Sequence, residues 1–234
     1  MLLRTTSAAV LGLTALTLLT LPGCSNSPSA TPGPSSPAAT RQKNTTSDET
    51  PSEPFSSAAL QKLLLDERDL GEGYTLKPET PSHHDDVTVT GCPALEQLGG
   101  DAATGGSLNF PRRAKAAFLY AGTSGAEVSE ELYSDTEAKL SQGTDRIFDA
   151  LTSCPSYQVL AGSTPVDVAT QRTAAPQLGD ERWSLQMTYT AGGRTTVVKQ
   201  TAIRTGTTVV LVAGSPGLVD THVDKALAKA RSAH

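Results

Sequence analysis

The run Gly179-Asp180-Glu181-Arg182-Trp183 places three charges and an indole ring at the mouth of an alternating segment. A guanidinium beside a large flat ring is the usual anchor of a recognition surface. The same residues also read as ordinary turn chemistry, Gly-Asp, followed by a tryptophan in step with core positions. Asp180, Arg182 and Trp183 are therefore the candidate ligand-binding residues, with a turn-plus-core role as the competing reading. The run His83-His84-Asp85-Asp86 carries nitrogen and carboxylate ligands of the kind zinc accepts. Adjacent residues seldom aim at one ion, however, and no second ligand set is visible, so the run reads as a solvated loop and no metal is expected. Gly122-Thr123-Ser124-Gly125 falls short of a nucleophile elbow because its glycine comes one position early. There is no His-Glu-x-x-His and no phosphate-cradling glycine loop. No catalytic residue and no cofactor are assigned. His222, beside an apolar helix stripe, and His234, the last residue, read as structural or exposed.

The remaining reactive groups are the thiols of Cys24, Cys92 and Cys154. Arg4 precedes an uncharged stretch, Ser7 to Leu21, that is too short for a spanning helix and reads as the core of a secretory signal peptide. Leu21-Pro22-Gly23-Cys24 closes it and resembles the bacterial lipobox, in which the cysteine is diacylated and becomes the mature N-terminus. Pro22 departs from that pattern, which usually carries Ala, Ser, Thr or Val there. The other reading is a signal peptide cut elsewhere. Residues 1–23 are thus expected to be a lipoprotein signal peptide. The mature chain would be held on the extracytoplasmic face of a cell membrane by acyl chains on Cys24, two chains making a stable anchor. The acidic balance, 24 Asp plus Glu against 19 Lys plus Arg, argues against a nucleic-acid partner.

Lipidation of Cys24 leaves two cysteines in an oxidising compartment. Cys92 and Cys154 both adjoin Pro, and a disulfide between them is the economical reading. Metal or redox chemistry would call for a Cys-x-x-Cys pair or a neighbouring His, and neither is present.

Residues 24–55 change character abruptly to Ser, Thr, Pro and Ala. Such a segment has nothing to bury and cannot offset its ordering entropy, so it reads as a disordered tether of about 30 Å as a flexible coil. Residues 56–234 then suit one domain with a full core. Ser57 predicts the cap of a helix carrying Leu60, Leu63 and Leu64 as far as Leu70-Gly71, and Tyr74 to Leu76 is extended. Pro78 to Asp86 is a polar loop, and Gly91-Cys92-Pro93 opens a short helical turn. Arg113 to Tyr120 reads as a strand. Ala126 to Leu132 reads as another, though its glutamates also permit helix. Ser134 and Glu137 match a capping box before a helix that Pro155 stops, with Ile147, Phe148, Leu151 and Cys154 on one face. Tyr157 to Leu160, Val166 to Thr170 and the alternating Trp183 to Tyr189 follow as strands. Gly192-Gly193 turns the chain into Thr195 to Arg204, and Val209 to Ala213 is apolar throughout, as a central strand must be. Val219, Val223, Leu227 and Ala230 form the stripe of a last helix. Strands in hairpins with helices at both ends imply an α+β fold, an antiparallel sheet packed against helices.

In order, a Leu-rich opening helix, Gly91-Cys92-Pro93, a helix ending in Cys154, Gly179-Asp180 before a long strand, and Val209 to Ala213 leading into the closing helix span Ser57 to Ser232. That order resembles the extracellular sensor domains of the PknH-type receptor kinases and their free-standing lipoprotein relatives. The resemblance implies an antiparallel sheet with packed helices and a cleft for a ligand. It departs from the receptors in having no kinase domain, no spanning helix, and one disulfide where some members have two. The expected function is that of a membrane-anchored, non-catalytic module binding a small ligand, a lipid or an envelope protein. The second class is an envelope hydrolase with an unrecognised nucleophile, which a Ser or Asp within reach of His84 or His222 would favour.

Overall fold

The computed structural model describes residues 53–79, 87–99, 107–123, 125–162 and 164–232. The signal segment, Cys24, nearly all of the tether, the His83 to Asp86 run, Ser124 and His234 lie outside the described residues. In chain order the elements begin with α1 (Ser57–Gln61), α2 (Glu67–Leu70), β1 (Tyr74–Leu76), β2 (Val87–Thr90) and α3 (Pro93–Leu98). They continue with β3 (Arg113–Tyr120), β4 (Ala126–Ser134), α4 (Glu137–Ser153), β5 (Ser156–Ala161) and β6 (Thr164–Arg172). The last are β7 (Glu181–Ala191), β8 (Arg194–Thr205), β9 (Thr208–Gly214) and α5 (Pro216–Arg231). The nine strands form one antiparallel sheet in the order β1-β3-β4-β9-β8-β7-β6-β5-β2, so the fold is α+β as expected. The last strand, β9, inserts between β4 and β8.

Helices cover the two faces unevenly. On one face α3 and α4 lie over Tyr133, Leu211, Ala202, Leu185, Met187 and Val168. On the other, α1, α2 and α5 lie over Phe118, Val128, Leu132, Val210, Val212 and Ile203. Only the middle strands feed both cores, which explains why Val209 to Val212 are all essentially buried while the outer strands alternate. Cys92 and Cys154 are joined, with Cα atoms 5.8 Å apart, and tie the α3 corner to the end of α4.

Three local expectations are corrected. The opening helix is two short helices, because Asp66 starts a second one. Its carboxylate accepts the N–H groups of Arg68 and Asp69 at 2.9 and 3.0 Å, and the Asp69 side chain returns to the Asp66 N–H. The first helix is capped by Ser56 rather than Ser57, whose hydroxyl instead accepts the Arg113 N–H at 3.1 Å. Ser134 forms no capping box. It is the last residue of β4, donates to the Thr207 carbonyl at 2.6 Å, and leaves Thr136 as the N-cap of α4. Strand β2 carries no signal strong enough to separate it from the preceding loop. Its four residues pair with β5 at the sheet edge.

Candidate functional site

Glycine at 179 is dictated by a close approach. Its φ is +65°, and a Cβ there would fall 2.5 Å from the Arg204 carbonyl oxygen and 2.4 Å from Ile203 Cγ2. This lets the Asp180 N–H reach that carbonyl at 2.8 Å. The Asp180 carboxylate then accepts the Gly206 N–H at 2.8 Å and lies 3.4 Å from the Arg204 guanidinium. Glu181 takes Arg204 Nε at 2.6 Å and the Ser141 hydroxyl at 2.9 Å. Arg204 is buried, so its charge is compensated by carboxylates rather than by water. Two of the three charges seen in the sequence are thus committed to a clamp that fixes the β8–β9 turn against the start of β7.

Arg182 and Trp183 do something different. The Arg182 side chain is exposed and donates to Gln177 Oε1 at 2.5 Å. Trp183 donates through Nε1 to Asp145 at 2.6 Å, and its ring lies 6.2 Å from that of Phe148. Both residues line a groove of about 330 Å³ at the end of β7, closed by Phe148 and Thr152 of α4 and by the connection from Arg172 to Gln177. Arg172 joins them there, held by Asp149. The structure therefore brings Arg182 and Trp183 to one groove, while Asp180 belongs to the clamp and does not line it. Arg172 and Phe148, distant in sequence from both, were not readable as partners.

A second hollow, of about 370 Å³, opens on the face carrying α4, and β3, β4, β9, β8 and β7 all contribute to it. Its floor holds Glu131, Gln200 and Leu211, which are 5%, 4% and 2% exposed. Glu131 meets Lys115 Nζ at 2.6 Å and accepts the hydroxyl of Tyr133. Burial and the neighbouring Glu131 carboxylate push the Tyr133 phenol well up, so it stays a donor. That phenol also accepts the Leu108 N–H at 3.0 Å. At the rim, Glu127 pairs with Lys77 at 2.7 Å, and Ser129 donates to the Ala213 carbonyl at 3.3 Å. Gly214 walls one side, where a Cβ would stand 2.1 Å from the Glu127 carbonyl oxygen. None of these residues was singled out from the sequence. The one available signal was the pair Glu130-Glu131 inside a strand.

Glu130, next door, points to the opposite face and is buried below α1 and α2. One of its oxygens accepts the Leu65 N–H at 2.6 Å, and the other has no partner among the described residues. Burial pushes its carboxyl up to about 8, against the opposing pull of that N–H and of Lys229. His222, on α5, is also buried. Its Nε2 meets the Tyr74 hydroxyl at 2.6 Å, and its Nδ1 has no partner among the described residues. The hydrogen-bond partner of His222 is thus a phenol, not the Ser or Asp that would favour a hydrolase. Among the described residues no group of three or more His, Cys, Asp or Glu is placed to hold a metal ion. None of their helices is long and apolar enough to cross a membrane.

No family model matches the chain, and no curated protein matches it. Its fold is similar to the extracellular domain of PknH from Mycobacterium tuberculosis in that domain's crystal structure. The TM-score is 0.51 at 14% identity, over 74% of this chain and 97% of that one. At such identity the likeness is one of fold, and at that level the resemblance drawn from the order of sequence features is met.

Proposed function

We propose that this chain is a lipid-anchored extracytoplasmic protein whose folded module binds a small ligand or an envelope partner without catalysing a reaction. The carrying observation is the groove at the end of β7, where Arg182 and Trp183 meet Arg172 and Phe148 across four elements of chain. Guanidinium groups beside a tilted pair of aromatic rings suit a ligand with an anionic or planar polar group, in a concavity at the lower end of ligand-site size. The clamp of Asp180 on Arg204 and Gly206 supports this reading, because it fixes the strand start from which both anchors project. The similar fold of an extracellular domain agrees with a place outside the cytoplasm.

Native mass spectrometry of the protein purified from its own host tests the binding reading. A co-purifying mass is expected on the wild type and reduced at least about tenfold on Arg182→Ala, with the melting temperature unchanged, since an exposed charge contributes little to stability. Equal occupancy of the two proteins, or a variant that melts several degrees lower and binds normally when folded, would make Arg182 structural. The anchor has its own check. Cys24→Ala should lose labelling by a fatty-acid probe and leave the membrane fraction, and a mutant that remains there with its label would remove the lipid from the proposal.

A further inference from the structure

The sheet has two ends, and they are finished differently. At the β1 edge the Leu76 N–H is taken by the Glu67 carboxylate at 2.7 Å. At the β2 edge no described residue outside β5 hydrogen-bonds to the backbone of Val87 to Thr90. The sequence of β2, Val-Thr-Val-Thr, also lacks the charge or proline that usually guards an edge. We infer that the slot between β2 and α3 is a docking site for an extended, basic segment of a partner protein, which joins the sheet there as a further strand.

The lining of the slot shows that it follows the edge. A hollow on one face of a strand touches every second residue, because side chains alternate. This one, of about 400 Å³, is lined by all four residues of β2 and, across from them, by Leu95, Glu96 and Gly99 at α3. It therefore runs beside the strand, with the helix as its far wall. In an antiparallel pair every second residue turns its N–H and C=O away from the neighbouring strand. Alternate residues of β2 thus offer donors and acceptors that only another extended backbone matches along its length. Strand addition draws affinity from such main-chain bonds and selectivity from side chains that alternate toward the wall.

Charge selects the occupant. Glu96 is the one charged group among the described residues lining the slot, and it is exposed. Its side chain has no ion pair or hydrogen bond among the described residues. A carboxylate in that state favours lysine or arginine on the incoming segment. A second copy of this chain, paired β2 to β2, brings an uncharged strand with no cation for Glu96. The walls are also held in advance. Cys92, the N-cap of α3, is bonded to Cys154, two residues before the strand on which β2 lies, so helix and edge keep their separation before a partner arrives.

The test is a titration of the isotope-labelled full chain with the capped peptide Thr-Val-Lys-Val-Lys-Val and with its counterpart carrying glutamate for lysine, followed by amide NMR and hydrogen exchange. The basic peptide should give saturable shifts at Val87 to Thr90 and Leu95 to Gly99, with a dissociation constant of ~0.1 mM. It should also slow exchange at alternate amides of β2 by at least about tenfold. The acidic peptide should bind at least about tenfold more weakly, and Glu96→Lys, at an exposed helix position, should reverse that order without lowering the melting temperature. Should Glu96→Lys fail to fold, Glu96→Gln, which should abolish the preference, decides. Four results would overturn the inference. One is no saturable shift up to about 2 mM of the basic peptide, or equal binding of the two peptides. Another is protection of all four β2 amides before any peptide is added, which would show the edge already filled by this chain or by a second copy. A third is undiminished binding of the basic peptide after N-methylation of its alternate nitrogens, which would rule out strand pairing. The fourth is a set of shifts at Arg182 and Trp183 instead, which would speak for the β7 groove alone.

Discussion

Cys92→Ser lowers the stability of the folded module by roughly 4 kcal/mol, because the bond it removes closes a loop across a separation of 62 residues. The unfolded chain regains the freedom of that loop, while the folded chain keeps nearly the same contacts. Cys92 is fully buried against Leu95 and Leu151, so a serine hydroxyl there adds a small desolvation cost in the same direction. Each kcal/mol moves the midpoint of a domain of this size by roughly 2–4 °C, so a thermal melt should fall by about 10 °C. Two reactive thiols in native, unreduced protein would show that the bond is not formed in solution, and the expectation would fail with it.

The second large effect is a dependence on pH. The Glu130 carboxyl has its folded pKa raised from 4.5 to about 8. The folded state therefore holds a proton that the unfolded state has released. Stability from this group is fully present below about pH 4.5 and is lost as pH rises toward 8 and beyond. The ceiling is roughly 4–5 kcal/mol, and relaxation of α1 and α2 around the charge reduces it to about 2–3. Glu130→Gln imitates the protonated form and still accepts the Leu65 N–H. In urea titrations the variant should match the wild type near pH 5 and exceed it by about that amount near pH 8.5. The groups facing Glu130 from α2 and α5, Asp69 and Lys229, are paired with each other. His222 acts in the opposite sense. Burial lowers its pKa, so its contribution is lost as pH falls through the 6.5 region, but it does so in both proteins and cancels in the difference. Parallel stability curves for the two proteins would show that Glu130 is charged in the folded state.

These two residues also mark where the fold was legible in the sequence and where it was not. Trp183 to Tyr189 alternates and Val209 to Ala213 does not, and those patterns are direct records of one-sided and two-sided burial. β4 was ambiguous because Glu130 and Glu131 break its pattern, each being buried on a different face. A carboxylate can sit there only through partners such as Leu65 and Lys115, which pairing brings from far along the chain. Ser134 was misread for a related reason, since a hydroxyl before an acidic residue three positions on can serve a strand end as well as a helix start. Of the candidate site, the neighbours Arg182 and Trp183 were visible, while Phe148 and Arg172 beside them were not. The hollow had almost no signature, because residues from 115 to 215 converge on it through the register of five strands.

The uneven coverage of the sheet also sets the order in which the molecule comes apart. The cap of α1 and α2 rests on one core alone, through Leu60, Leu64, Leu65 and Leu70, and the covalent bond lies in the other. The cap can lift while the bonded half stays closed, so its amides exchange with solvent by a partial opening. β4, β8 and β9 send side chains into both cores, so none can leave without emptying both. Their amides exchange only when the whole module unfolds, and the free energy read at Val210 is the free energy of the protein.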